Sequence, residues 1–149
     1  MSSLFAFLHH IAAFTLMSAL VVECVLLRQA ITVSTARKIL TTDAIFGISA
    51  GIILVIGPIR VFYFEKGAGY YFSNGPFLVK LTLFAVIGCL SIYPTKQFLS
   101  WRPATKAGQE PIVDSGMLRK LRTSIYLEMT AAVFLVLCAA LMARGIGSF

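Results

Sequence analysis

Charged residues are scarce in this sequence, and the few that occur are clustered. Asp, Glu, Lys and Arg together make up 13% of the 149 residues, whereas 58% of the residues are hydrophobic. Soluble domains average roughly 25% charged and roughly 45–50% apolar residues. A water-soluble chain of this length could not bury so much apolar side chain, so the composition predicts a protein that lies in lipid.

The sequence also lacks the motifs of several enzyme classes. It has no glycine-rich phosphate loop, no His-Glu-x-x-His and no nucleophile elbow. The cysteines lie in apolar runs without a Cys-x-x-Cys pair, which indicates small buried residues rather than metal ligands or disulfides; they are Cys24, Cys89 and Cys138. Any enzymatic activity would have to use residues inside the membrane, and the sequence does not decide whether the protein is an enzyme.

Four long apolar runs are present instead. A helix needs ~20 residues to span the ~30 Å hydrocarbon core, and lipid offers no partners for exposed backbone groups. We therefore predict an all-α integral membrane protein, a four-helix transmembrane bundle that forms a single domain over residues 1–149. The predicted spans are about 4–27, 44–64, 76–99 and 123–143. The first run lacks the flanks of a signal peptide, so we expect a helix of the mature protein.

Local signals predict how the spans begin and what connects them. Thr41-Thr42-Asp43 can cap the second helix, which leaves Thr35–Leu40 as a short interfacial helix. Ser73-Asn74-Gly75-Pro76 is a turn with proline at the first helical position of the third span. Ser115 can cap the helix that becomes the fourth span, after an irregular loop over Arg102–Asp114.

Basic residues are concentrated in the first and third connections between the spans. These carry Arg28, Arg37 and Lys38, and Lys96, Arg102, Lys106, Arg119, Lys120 and Arg122. The second connection and the C-terminal tail carry one each, Lys66 and Arg144. Because cytoplasmic loops are enriched in Lys and Arg, we predict both termini on the outer side. The same bias explains the net charge of +7 without a nucleic-acid partner, and we expect none.

Aromatic residues flank the second connection, where the predicted orientation places the outer membrane surface. They are Phe62, Tyr63, Phe64, Tyr70, Tyr71 and Phe72. Aromatic rings are enriched at the headgroup level of membrane proteins. We therefore predict an outer aromatic belt, and the lipid bilayer is the first expected partner.

Four ionisable residues from three spans share one predicted depth near the outer surface. We call His9, His10, Arg60 and Lys80 the histidine layer; each lies about one to one and a half turns below that surface. Ionisable groups inside membranes are costly and often functional. No acidic residue lies at this depth in the same spans, although Glu65 lies at the boundary. Either the two cations extend to the surface, or an anion binds them.

A porphyrin would suit the histidine layer. Its iron takes a neutral imidazole nitrogen, and its two propionates would pair with Arg60 and Lys80. Adjacent residues point about 100° apart on a helix, so His9 and His10 cannot easily bind one iron together. His9 shares a helical face with Glu23, which favours His9 as the metal ligand. A quinone, another anionic substrate, or two histidines that only bond locally are the alternatives.

Acidic residues are predicted near the opposite surface. We call Glu23, Asp43 and Glu128 the carboxyl layer. We expect Glu23 and Glu128 to pair with one of three nearby cations and to anchor the bundle; these are Arg28, Arg119 and Arg122.

Two features of the second span concern packing. Gly47-Ile48-Ser49-Ala50-Gly51 is a small-xxx-small pattern that lets a neighbouring helix approach closely. Pro58 removes a backbone hydrogen bond and should kink the helix two residues before Arg60. The kink could direct Arg60 inward, or the proline could be an ordinary one near a helix end.

These residues resemble a known family. A first-helix histidine, Lys80 within Phe77-Leu78-Val79-Lys80-Leu81, the Val-Lys-Leu-x-Leu stretch through Leu83 and four spans resemble HemJ-like membrane proteins. That resemblance implies haem b binding and oxidation of protoporphyrinogen, with His9 or His10 as haem ligand and Lys80 at the porphyrin. The whole chain also looks like an uncharacterised family of four-span bacterial membrane proteins.

We therefore predict a multi-pass protein of the bacterial cytoplasmic (inner) membrane that binds haem b near its outer face and has a redox role. No histidine follows His10, so the iron would be five-coordinate or take a ligand from a second copy in a homo-oligomer. A non-catalytic structural or small transport protein and a quinone-binding subunit are the alternative functions.

Overall fold

The computed structural model describes residues 2–64, 69, 73, 75–144 and 146, and its regular elements are helices. They are α1 (Ser2–Leu26), α2 (Val33–Ile59) with a π-helical turn (Arg60–Phe64), α3 (Gly75–Ser100), α4 (Arg102–Lys106) and α5 (Ser115–Ala143). Four of them, α1, α2, α3 and α5, are long and apolar enough to cross a membrane. The predicted all-α fold with four membrane spans is confirmed.

The four long helices pack as two pairs. α1 lies along α2, α3 lies along α5, and contacts of α1 with α5 and of α2 with α3 join the pairs. We call the end of the bundle with the connections 27–32 and 101–114 the basic end. The completely buried apolar side chains among the described residues belong to this half; they are Leu20, Leu27, Ala36, Ile39, Phe98 and Leu121. The tightest part of the core therefore lies toward the basic end.

The outward faces of the long helices are apolar. Large side chains such as Phe14, Ile48 and Val133 have more than half of their surface exposed, at 69%, 65% and 61%. Such surfaces would be costly in water but need no covering in hydrocarbon. The exposed faces therefore contact the lipid.

The second span begins earlier than the sequence pattern predicts. α2 starts at Val33, and the side chain of Thr32 caps it by accepting a hydrogen bond from the Thr35 backbone N–H at 3.3 Å. Thr41 and Thr42 lie inside the helix, where their hydroxyls donate to carbonyls four residues earlier. The predicted cap at Thr41-Thr42-Asp43 and the separate interfacial helix are wrong, because one continuous helix includes both segments.

The connection between α3 and α5 is more ordered than the predicted loop. Its first part forms the short helix α4, Arg102–Lys106, and Gly108 follows with a positive φ of 72°. The cap of α5 is Asp114, whose Oδ1 accepts a hydrogen bond from the Met117 N–H at 2.6 Å. Ser115 is therefore the first helical residue rather than the cap.

The small-residue face of α2 has no helix packed against it in the described part of the chain. A Cβ atom added at Gly47 or Gly51 would have no neighbour within 4 Å. The predicted close approach of another helix at this face is therefore wrong for the described residues.

The region between α2 and α3 is described in part. Phe62 and Tyr63 are exposed, as an aromatic belt requires. α3 begins at Gly75, so Pro76 is the second helical residue, one position later than predicted. The remaining predicted features here lie outside the described residues or involve side chains that are not described: Phe64, Glu65, Lys66, Tyr70, Tyr71, Phe72 and Asn74.

The orientation of the bundle stays a prediction that cysteine labelling checks. Both test sites belong in a chain whose native cysteines are replaced by alanine. If both termini are outside, a membrane-impermeant maleimide labels Ser73→Cys in intact cells but labels Gln109→Cys after permeabilisation alone. The reverse pattern would place the basic end outside.

Candidate functional site

Three of the four histidine-layer residues come together at the end of the bundle opposite the basic end. The charges of Lys80 and Arg60 act on the His9 imidazole, so both cations lie within electrostatic reach of His9. His9 comes from α1, Arg60 from the π-helical turn after α2 and Lys80 from α3. The fold thus assembles in space what the sequence places far apart.

The imidazole of His9 is half-buried beside α2. Its Nδ1 atom is buried and has no hydrogen-bond partner in the part of the chain that the structure describes. A Cβ atom added at Gly57 would lie 3.9 Å from the His9 Cε1, so the glycine leaves room for the ring. Buried polar atoms without a partner are uncommon in folded proteins. This nitrogen is therefore a candidate contact for a ligand.

His10 has a different environment. Its side chain is exposed, and its Nδ1 donates to the Ala6 carbonyl of the same helix at 2.6 Å. The two histidine rings are nearly perpendicular, with an interplanar angle of 84° and centroids 6.1 Å apart. His10 is thus bonded to its own helix and is not oriented toward a shared ligand with His9.

The end of α2 positions Arg60. Pro58 has no backbone N–H, so the helix loses one of its regular hydrogen bonds just before the π-helical turn Arg60–Phe64. Single π-helical turns inside helices often occur at functional sites. This turn contacts α1, the helix that carries His9. The contact favours the interpretation that Pro58 directs Arg60 toward the bundle.

The described residues contain no group of three or more His, Cys, Asp or Glu side chains that could hold a metal ion. A metal bound by protein side chains alone would need several such ligands. An iron porphyrin needs fewer, because the macrocycle provides the equatorial nitrogens and the protein provides an axial ligand. A single histidine is therefore compatible with haem but not with a metal site built from side chains.

The carboxyl layer forms a second polar cluster, nearer the basic end. Glu23 and Glu128 are each 1% exposed and Asp43 is 7% exposed. The three carboxyls act on one another electrostatically although they come from α1, α2 and α5. The Thr95 hydroxyl of α3 donates to Asp43 Oδ1 at 2.8 Å, so all four long helices contribute to this layer.

The predicted ion pairs of the carboxyl layer are not formed among the described residues. Arg28 donates instead to the Tyr126 hydroxyl, with its Nη2 at 2.6 Å and its Nε at 3.1 Å. The Arg122 Nε donates to the Leu27 carbonyl at 2.9 Å. Arg119 is exposed. The prediction is wrong because the guanidinium groups of Arg28 and Arg122 find neutral oxygen acceptors instead.

Sequence reasoning missed several of these contacts. Gly57 and Thr95 were not predicted to contact the two layers, and each does so from another helix; Tyr126 was not predicted as the partner of Arg28. Helical phase could have placed Gly57 near Arg60, since three residues separate them and residues at this spacing share a helix face. No local signal predicts which helix packs against that face.

Comparison with known proteins places the chain in a wider group. A model of the family described as "Predicted membrane protein (DUF2214)" matches residues 1–147. No curated protein and no solved structure matches the chain.

The bond between Thr95 and Asp43 gives a stability prediction. Thr95→Val keeps the side-chain shape but removes the donor, so the structure should lose about 1 kcal/mol of unfolding free energy. Thr82→Val is the matched control, because Thr82 is exposed on the same helix and bonds the carbonyl of Leu78. Unfolding of both variants in mixed detergent and SDS micelles measures the difference. Equal stability of the two variants would contradict the role of Thr95.

Proposed function

The chain belongs to the family of predicted membrane proteins described as DUF2214, and we propose that it is a haem b-binding, redox-associated membrane protein. The observation that carries the proposal is the convergence of His9, Arg60 and Lys80 from three helices. Ionisable side chains are costly in the apolar region, so these groups do not help the four spans to insert into the membrane. A ligand that needs one imidazole and two cations would account for all three.

The residues of the histidine layer fit haem b in their chemistry. His9 would be the axial ligand, since a buried nitrogen of its ring has no other partner among the described residues. Arg60 and Lys80 would bind the propionates through charge-assisted hydrogen bonds. Bound haem would supply one-electron chemistry, and the protein side chains would hold and orient it.

A further observation supports this location. The completely buried apolar side chains lie toward the basic end, which leaves the packing around His9 less dense in the described residues. His10, one residue away, is bonded to the Ala6 carbonyl, so a variant of His10 is a matched control for the same change at His9. We also propose, from the charge bias of the connections, that the protein lies in the bacterial cytoplasmic membrane.

An optical spectrum of the detergent-purified protein tests the proposal. After expression with ample haem, we expect a Soret band that His9→Ala abolishes and His10→Ala preserves. Arg60→Gln and Lys80→Gln should each weaken haem retention during purification, because each removes a partner of one propionate. Gly57→Ala should retain the band, since its added methyl would have ordinary contact with His9, whereas Gly57→Leu should displace the ring.

Size-exclusion chromatography of every variant checks that a lost band does not reflect a lost fold. A wild-type protein without a Soret band would disprove haem binding. Quinone in the lipid extract without haem would instead support a quinone-binding subunit. Absence of both, together with an unchanged phenotype of His9→Ala, would support a structural or small transport protein.

A further inference from the structure

The carboxyl layer contains an unusual share of the acidic residues of the chain. The sequence has six Asp and Glu residues, and three of them, Glu23, Asp43 and Glu128, lie together inside the bundle. Acidic residues within membrane spans are rare and are usually functional. The cluster is separate from the histidine layer, so the function proposed above does not use it.

Hydrogen bonds satisfy part of this cluster. Thr95 donates to Asp43, as described above, but the Oε1 atoms of Glu23 and Glu128 are buried without a partner among the described residues. Both glutamates have a relative exposure of only 1%. These two buried oxygens are therefore candidate contacts for a cation or a proton.

Among the described residues, no fixed positive charge compensates the three carboxyls. The groups that act on Glu23 are Asp43 and Glu128, and the group that acts on Glu128 is Asp43. α3 contributes the hydroxyl of Thr95 and, half-buried against the core, Tyr93.

The remaining titratable groups nearby interact elsewhere. Arg28 interacts with Tyr126 and with Cys24 of α1. Arg122 of α5 donates to the Leu27 carbonyl. The described side chains that act electrostatically on Glu23 and Glu128 are therefore other carboxyls.

The chemistry of three buried carboxyls determines which ligand they can bind. An ionised carboxylate in a medium of low dielectric constant is strongly disfavoured unless a cation accompanies it. A proton meets this need because it neutralises the carboxylate. The protonated oxygen can then donate a hydrogen bond to a second carboxyl. A metal ion fits less well, because these described side chains are not arranged as a group of three that could hold one.

We propose that Glu23, Asp43 and Glu128 form an intramembrane proton-binding site near the basic end. Its protons are bound by the carboxyl oxygens, and the site works independently of any ligand at His9. The three carboxyls come from helices of both pairs: α1 packs against α5, and Asp43 of α2 is bonded to Thr95 of α3.

Labelling with dicyclohexylcarbodiimide tests the site in the full-length protein in lipid vesicles. This apolar reagent reacts with protonated carboxyls in apolar surroundings. We expect peptide mapping by mass spectrometry to find the label on Glu23 or Glu128, with a rate that falls as the pH rises. Glu110 is an exposed acidic residue in the connection 101–114 and is the internal control, which we expect to stay unlabelled.

Neutral variants provide the second measurement. Glu23→Gln and Glu128→Gln resemble the protonated side chains, so both should fold normally, and each should remove part of the infrared band of protonated carboxyl groups. A band that is absent from the wild-type protein, or that both variants leave unchanged, would overturn the proposal. Protection from the carbodiimide by sodium ions at constant pH would overturn it too, because it would identify a metal cation as the ligand.

Discussion

Lipid neither donates nor accepts hydrogen bonds, and this property of the solvent governs most of the structure. Each span must satisfy its backbone internally, so the membrane-spanning segments are helices. The same constraint acts on hydroxyl side chains within the spans. Thr15, Thr82 and Thr130, for example, each donate to a carbonyl four residues earlier in their own helix. Polar groups that do not follow this pattern are therefore the informative ones.

Those exceptions lie at two depths and differ in sign. One set consists of an imidazole with two cations, and the other consists of three carboxyls with one threonine donor. The tightest apolar core lies around the carboxyls, toward the basic end. Burial strengthens every electrostatic interaction there and makes an unpaired charge expensive. The opposite end has the π-helical turn and an imidazole nitrogen without a partner in the described part of the chain, and it has less packing there to hold its polar groups in place.

The sequence predicts the spans well because hydropathy is a property of each segment by itself. It predicts the start of α2 poorly, since the hydroxyls of Thr41 and Thr42 can cap a helix or bond within one, and the choice depends on Thr32. The depth of His9, Arg60 and Lys80 follows from counting residues along a helix of known rise. Their meeting in space is a consequence of how three helices pack, which no single segment encodes.

The arginine contacts show the limit of sequence reasoning most clearly. Opposite charges at similar depth predict ion pairs between Glu23 or Glu128 and the basic connections. The competing acceptors are the Tyr126 hydroxyl and the Leu27 carbonyl, and their availability depends on the tertiary structure. A carbonyl at the end of a helix lacks an intrahelical donor, so it is a strong competitor for a guanidinium group.

These same contacts have a mechanical consequence. Arg28 and Arg122 connect the end of α1 to α5, and Arg37 of α2 donates to the Thr105 carbonyl in α4 at 2.9 Å. All three cross from the first helix pair to the second half of the chain, and all three lie at the basic end. These side-chain hydrogen bonds therefore hold the two helix pairs against each other at the basic end, so a change in the angle between the pairs there would have to lengthen or break them.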